Sequence, residues 1–332
     1  MRIRLFAAPL AALAVAAPAQ AQELWSHEAS GVSIPRTIGD MRVGRERDGS
    51  GTGHDMIVQL GSRDTPVTLY VYRSAYPNAA LWFERTRLAM NMNVRSPEQG
   101  VAPRTITIGG ASAPNGLRED IAIPGGRYRA TSVAMVQAGE WLVKARVSST
   151  RLDLAGVSAR MDQLLGALRF ANMPAPHPLR VPTACTEANA MSGRPVTDLN
   201  EELLAAALPT VVAGETAARG QGGLAANPSA WCRDTTQVPV GYATVYRARD
   251  GSGWVSLLSD SGRAISAMRN ETPGPAGAAL LAATPSATSL VAIFADLPHP
   301  EAGTVAAIPV AVGQAQGLVS VGGPPRQSTP KN

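Results

Sequence analysis

Charge is scarce in this chain. Asp, Glu, Lys and Arg make up 17% of the 332 residues, and Phe, Trp and Tyr only 5%. A coiled coil is excluded, because its exposed faces need charge and it tolerates little of the 32 Gly and 26 Pro present. Lysine is nearly missing: Lys144 and Lys331 are the two in the chain, so the basic residues are almost all arginine. Histidine is limited to His27, His54, His177 and His299, and none stands two to five residues from a second His or a Cys. Zinc motifs are therefore absent, as are HExxH, GxSxG, P-loop and dinucleotide fingerprints. No metal and no cofactor is implied. Hydrophobic residues still reach 45%, which argues against wholesale disorder.

What is present begins with an export pattern. Arg2 and Arg4 precede an apolar run from Leu5 to Ala17, too short to span a bilayer as a helix. Ala19-Gln20-Ala21 supplies small residues at a cleavage site, so residues 1–21 read as a signal peptide cut after Ala21. A retained N-terminal anchor is the rival reading. Cleavage leaves no membrane span and places the chain in the periplasm or outside the cell. It also removes two of 30 basic residues, leaving 28 against 25 acidic ones. That balance gives no reason to expect nucleic acid as a partner. The two cysteines, Cys185 and Cys232, then meet an oxidising compartment, where an even count favours a disulfide. Free thiols or a thiol metal site are the alternatives.

Residues 22–171 read as one α+β domain. Strands are expected at Val32–Pro35, Met41–Arg47, Met56–Leu60 and Val67–Tyr72, with the turn-forming run DGSGTG at 48–53. In the last of these, Val67, Leu69 and Val71 alternate with Thr68, Tyr70 and Tyr72, the period of a half-buried strand. A helix over 78–91 follows, then strands at 105–108, 120–123, 128–136 and 140–147. The cleanest amphipathic signal is the helix at 154–168, with Val157, Met161, Leu164, Leu165 and Leu168 on one side. Hairpins dominate, so the sheet should be mainly antiparallel with helices packed on it. Over residues 31–170, closing on WLVKARVSS at 141–149 and a helix ending GALRF at 166–170, the chain resembles the PsbP/Mog1-type fold of small secreted and lipoprotein domains. That family is mostly binding or assembly factors with no shared catalytic site. The resemblance implies a non-catalytic role and carries no functional residue over.

Residues 172–182 (NMPAPHPLRVP) hold four prolines and read as a stiff connector, with His177 solvated inside it. Residues 183–321 read as a second α+β domain, also mainly antiparallel. Asp198 and Glu201 match a capping box for a short helix, and Val211–Gly223 fits neither pattern. Strands are expected at 242–248, 254–259, 264–268, 289–295 and 304–312, with a loose helix at 276–283. The tail at 322–332 has a disordered composition.

Candidate ligand-surface residues are Arg42, Arg45 and Arg47, which could dress one sheet face for an anion, and the aromatics Tyr70, Tyr72 and Trp82. A solvated face and ordinary packing are the plain alternatives for the two sets. His54 with Asp55 could serve as a base or a metal ligand, but neighbours in an extended strand point to opposite sides and would not converge, so His54-Asp55 and His27-Glu28 read as a loop His beside a solvated acid. Two functions compete. One is a non-catalytic envelope protein that binds another envelope protein or a small ligand, or assists assembly. The other is a periplasmic hydrolase with a dispersed Ser/His/Asp site, drawing on His54 or His299 and on Ser259, Ser261 or Ser266.

Overall fold

The computed structural model describes residues 23–93, 100–171, 177–187, 190–236, 238, 243–259, 262–270 and 277–322. The expected signal peptide, the first half of the connector, Asp260, Ser261 and all but the first residue of the expected tail lie outside those residues.

In chain order the elements are β1 (Leu24–His27), β2 (Val32–Pro35), β3 (Thr37–Ile38), β4 (Met41–Arg42), β5 (Glu46–Asp48), β6 (Asp55–Gly61) and β7 (Pro66–Arg73). Next come α1 (Ala79–Asn93), β8 (Gly100–Ile106), β9 (Gly116–Ala122), β10 (Ala130–Ala138), β11 (Trp141–Ser149), α2 (Leu154–Ala167) and β12 (Arg169–Phe170). The C-terminal half contains α3 (Glu201–Ala218), α4 (Gly223–Ala226), β13 (Trp231–Arg233), β14 (Thr244–Ala248), β15 (Gly253–Leu258), β16 (Arg263–Arg269), β17 (Ala278–Ala283), β18 (Ala287–Phe294), α5 (Pro300–Ala311) and β19 (Val319–Gly322).

Two seven-stranded antiparallel sheets carry the architecture, ordered β5-β6-β7-β11-β10-β9-β8 and β13-β14-β15-β16-β17-β18-β19. The chain is α+β, as its hairpin-rich pattern implies. In the first sheet Val67, Leu69, Val71, Val143 and Val147 point to α2, whose Val157, Met161, Leu164 and Leu165 close that core. The opposite face receives α1, and the second sheet packs on α1 from the other side. One apolar cluster joins Leu81, Trp82 and Phe83 of α1 to Leu117, Val133 and Leu142 of the first sheet and to Tyr246, Val255 and Leu257 of the second. The first two turns of α1, residues 79–86, are buried on every side. That enclosure takes in Glu84, whose carboxylate accepts a 2.7 Å hydrogen bond from the Tyr246 hydroxyl and pairs with Arg233. α3 covers the rest of that face of the second sheet, and α5 covers the other face. The layers therefore run α2, sheet, α1 with α3, sheet, α5.

Two expectations are overturned. Residues 304–312 are not a strand: 304–311 lie in α5 and Val312 is its C-cap. His299 caps it, Pro300 and Glu301 open it, and Gly303, Thr304, Ala307 and Ala311 form its buried side. Small residues at helical spacing outweigh the β-branched Val and Ile among them, because they let the helix close on Trp254. Residues 278–283 are not a helix but the inner strand β17, buried throughout. Helices cover both sides of it, so its apolar residues show no alternation. Smaller differences follow the same lines. The expected strand at 41–47 is split, β4 pairing with β3 and β5 with β6. The cap of α3 is Asn200, accepting from the Leu203 amide at 2.9 Å, rather than Asp198, and the helix runs on through Ala218. His177 is half-buried rather than solvated, and beside it the Pro178 carbonyl accepts from Asn78.

Cys185 and Cys232 form a disulfide. The backbone braces the same place: Cys185 donates to the Arg233 carbonyl and Arg233 to that of Thr183, each at 2.8 Å. Among the described residues no helix is long and apolar enough to cross a membrane.

Candidate functional site

α1 lies over β9 and β10, leaving the same face of the first sheet open across β5, β6, β7 and part of β11. Strand alternation decides what stands there. Arg47 is opposite Ile57, Ile57 opposite Tyr70, and Tyr70 opposite Lys144. Two residues along, Arg45 accepts at its carbonyl from the Gln59 amide, Gln59 is opposite Thr68, and Thr68 opposite Arg146. These are two parallel rows across four strands, and each begins and ends on a cation. Arg45, Arg47, Ile57, Gln59, Thr68 and Tyr70 line a cleft of about 270 Å³.

Within the two rows the charges are all positive. Neither row contains a carboxylate. The acid next along β6, Asp55, is half-buried, and burial pushes its carboxyl up against the pull of Lys144, Arg263 and Arg47. Lys144 is only 3% exposed, and its ammonium sits 4.1 Å from the centre of the Tyr70 ring, a cation–π contact that braces the ring from one side. Arg45, Arg47 and Arg146 are exposed. Guanidinium groups present rigid forks of donors that suit carboxylate and phosphate. The residues lining the cleft include no His, Cys, Ser or carboxylate. The arrangement is suited to holding an anion rather than to moving a proton.

The six residues singled out from the sequence separate. Arg45, Arg47 and Tyr70 come together in the cleft. Arg42 is exposed on β4, opposite Thr37 and outside the cleft. Tyr72 and Trp82 belong to the core, their rings edge-on at 6.2 Å, with the Trp82 indole donating to the Ala75 carbonyl at 3.2 Å. Gln59, Thr68, Lys144 and Arg146 were not singled out. Alternation places each on its strand's face, but only the β7–β11 pairing places Lys144 and Arg146 beside Tyr70 and Thr68.

The structure also gathers two histidines that are distant in sequence. His27 and His54 both lie against Trp141, with ring centres at 4.9 and 6.1 Å. Burial lowers the pKa of both imidazoles, and Arg73 and Arg219 add to the effect at His54. Their Nδ1 atoms bond to Ser30 and Thr52 hydroxyls at 2.8 and 3.0 Å. His299 caps α5, its Nδ1 accepting from the Glu301 amide. Ser266 is buried in β16, and Ser261 lies outside the described residues. Among the described residues no group of three His, Cys, Asp or Glu side chains is placed to hold a metal ion. Compared with known proteins, the chain matches no family model, no curated sequence and no solved structure.

Proposed function

We propose that this chain is an exported, non-catalytic binding protein of the cell envelope, and that it binds an anionic ligand on the open face of its first sheet. The observation that carries the reading is the pair of rows with Arg45, Arg47 and Arg146 exposed, Lys144 buried behind Tyr70, and no acid among them. A face that served solubility alone would ordinarily mix signs. The export pattern at residues 1–21 supplies the compartment. The rival hydrolase reading has less support, because the hydrogen bonds made by the His54 and His299 rings go to Thr52 and to a backbone amide.

The test is anion binding to the mature chain and to an Arg45→Gln/Arg47→Gln variant, with intact mass fixing the N-terminus. The parent should bind and the variant should lose about tenfold or more in affinity, since two charge-assisted contacts are removed. Equal binding by parent and variant rules the face out. A mature mass that retains residues 1–21 rules out the cleaved export signal.

A further inference from the structure

The layout of the two rows deepens that reading, on which this inference rests. Each row has the same order: cation, two neutral residues, cation. The first runs Arg47, Ile57, Tyr70, Lys144 and the second Arg45, Gln59, Thr68, Arg146. Within the rows the charges sit on the edge strand β5 and on β11, and the positions between them on β6 and β7 are apolar, aromatic, hydroxyl and amide groups. Three steps between strands set the two ends roughly 14 Å apart at the backbone, and the rows lie roughly 7 Å from one another. Arg45 and Arg47 line the cleft, and the Arg146 guanidinium lies beside Ser148 on its own strand. A compact anion would meet one end only. A ligand that engages both must carry negative charge at each end and a neutral middle.

We propose that the open face takes a linear dianion, laid across the strands. One anionic end meets Arg45 and Arg47, the other meets Arg146, and a neutral chain crosses Ile57, Gln59, Thr68 and Tyr70. Arg45 and Arg47 form the broader anchor, being adjacent on one strand and both exposed. Arg146 is exposed as well, and its Nε donates to the Ser148 hydroxyl at 3.3 Å. Lys144 acts beneath the ring of Tyr70 and holds the midpoint of the first row in place. Gln59 and Thr68 offer hydrogen bonds to hydroxyl or amide groups in the ligand's middle, and Ile57 with Tyr70 offers an apolar strip beside them. Carboxylate and phosphate ends share this chemistry.

Calorimetric titration of the full mature chain with succinate, octanoate, sebacate and decanediyl bisphosphonate tests the span. Sebacate should bind about tenfold tighter than succinate, which is too short, and than octanoate, which has one charge. The bisphosphonate arm decides between carboxylate and phosphate ends by whichever binds tighter. Arg146→Gln should cost sebacate about tenfold and octanoate, whose one carboxylate still has Arg45 and Arg47, far less. Succinate binding as tightly as sebacate overturns the proposal, as does an Arg146→Gln variant that weakens sebacate and octanoate alike. If succinate and octanoate bind with no preference for sebacate, the span fails while the anion-binding face stands. If none of the four binds, both fail. Unchanged circular dichroism and melting temperature of the variant, whose side chain is exposed, separate a lost contact from a lost fold.

Discussion

The contact between Glu84 and Tyr246 gives a stability prediction that reaches across the joint between the sheets. Tyr246→Phe removes one oxygen and no apolar volume. That hydroxyl is fully buried and donates to a carboxylate whose side chain is 5% exposed. Burial, and then the Glu84 charge beside it, push the Tyr246 hydroxyl well above the usual phenol range, so it remains a donor at any pH of interest. A hydrogen bond to a charged group contributes roughly 1.5–3 kcal/mol. Arg233, partly exposed, still neutralises Glu84 after the change, so an orphaned charge does not add to the loss. The expected cost of Tyr246→Phe is therefore about 2 kcal/mol. Glu84→Leu strands the same hydroxyl and should cost about the same. Combining the two removes donor and acceptor together, so the double variant should lose well under the sum of the singles, with a coupling of about 1–2 kcal/mol. Urea unfolding, followed in parallel by tryptophan fluorescence and far-ultraviolet circular dichroism, measures all four corners of the cycle. One apolar cluster spans both sheets, so the two signals should coincide in the parent. Additive singles, or a Tyr246→Phe loss below about 0.5 kcal/mol, would refute the claim that this pair fastens the joint.

Three further outcomes follow. Replacing Cys185 and Cys232 with Ser should cost about 4 kcal/mol by loop entropy, and a loss under about 1 kcal/mol in urea unfolding would show that the bridged segment is restrained without it. His27, His54 and His177 each have a pKa lowered by burial, so their folded forms favour the neutral ring. Their stabilising share is complete above the unfolded value near 6.5 and is lost as pH falls below it. Asp120 acts only at lower pH: burial would raise its carboxyl, but hydrogen bonds from Ser132, Arg118 and Arg104 outweigh burial and hold it down. Asp55, pushed up by burial, works in the opposite sense to Asp120. Melting temperature should therefore begin to fall below about pH 6.5, and His27→Gln should flatten the slope; a slope identical to the parent's would exclude His27 as a contributor. Finally, a Cβ at Gly303 would lie 2.6 Å from the Trp254 ring, so Gly303→Ala should destabilise by roughly 1–3 kcal/mol despite alanine's better helix propensity. A stabilised variant in thermal melting would contradict that.

Much of the first sheet was legible because its strands have one face towards α2 and another towards something different, and alternation records the distinction. Val67, Leu69 and Val71 against Thr68, Tyr70 and Tyr72 is such a record. The disulfide was legible from two cysteines and an export pattern. Legibility failed where both sides of an element are covered. Ala278–Ala283 is buried on each side, so its sequence has no period to read. The enclosure of α1 was invisible for a related reason: Glu84 and Arg85 look like solvent-facing positions until the second sheet supplies Tyr246 and Arg233. The candidate site was half legible. Arg45, Arg47 and Tyr70 lie on neighbouring strands joined by local turns, whereas Arg146 reaches them only because the chain passes through α1 and a whole meander before β11 returns to β7.

The scarcity of charge and of large side chains has the same origin as these failures. Five layers leave two sheets and one helix with little surface in water, and covered surface has no use for unpaired charge. Small residues set how closely the layers approach. Gly214 of α3 meets Leu281, where a Cβ would come within 2.4 Å, and Gly303 of α5 meets Trp254 in the same way. Within such a structure the open part of the first sheet is the exception. Bare apolar residues there would invite association, and a mixed set of charges would be enough to prevent it. Arginine at both ends of the rows, on the β5 side and on β11, with no acid in either row, does more than solubility asks. Like charges at that spacing repel one another when the face is empty, and a counter-charge relieves the repulsion. The unmixed sign, together with the neutral strip between its two ends, is what favours a ligand over plain solvent as the occupant of this face.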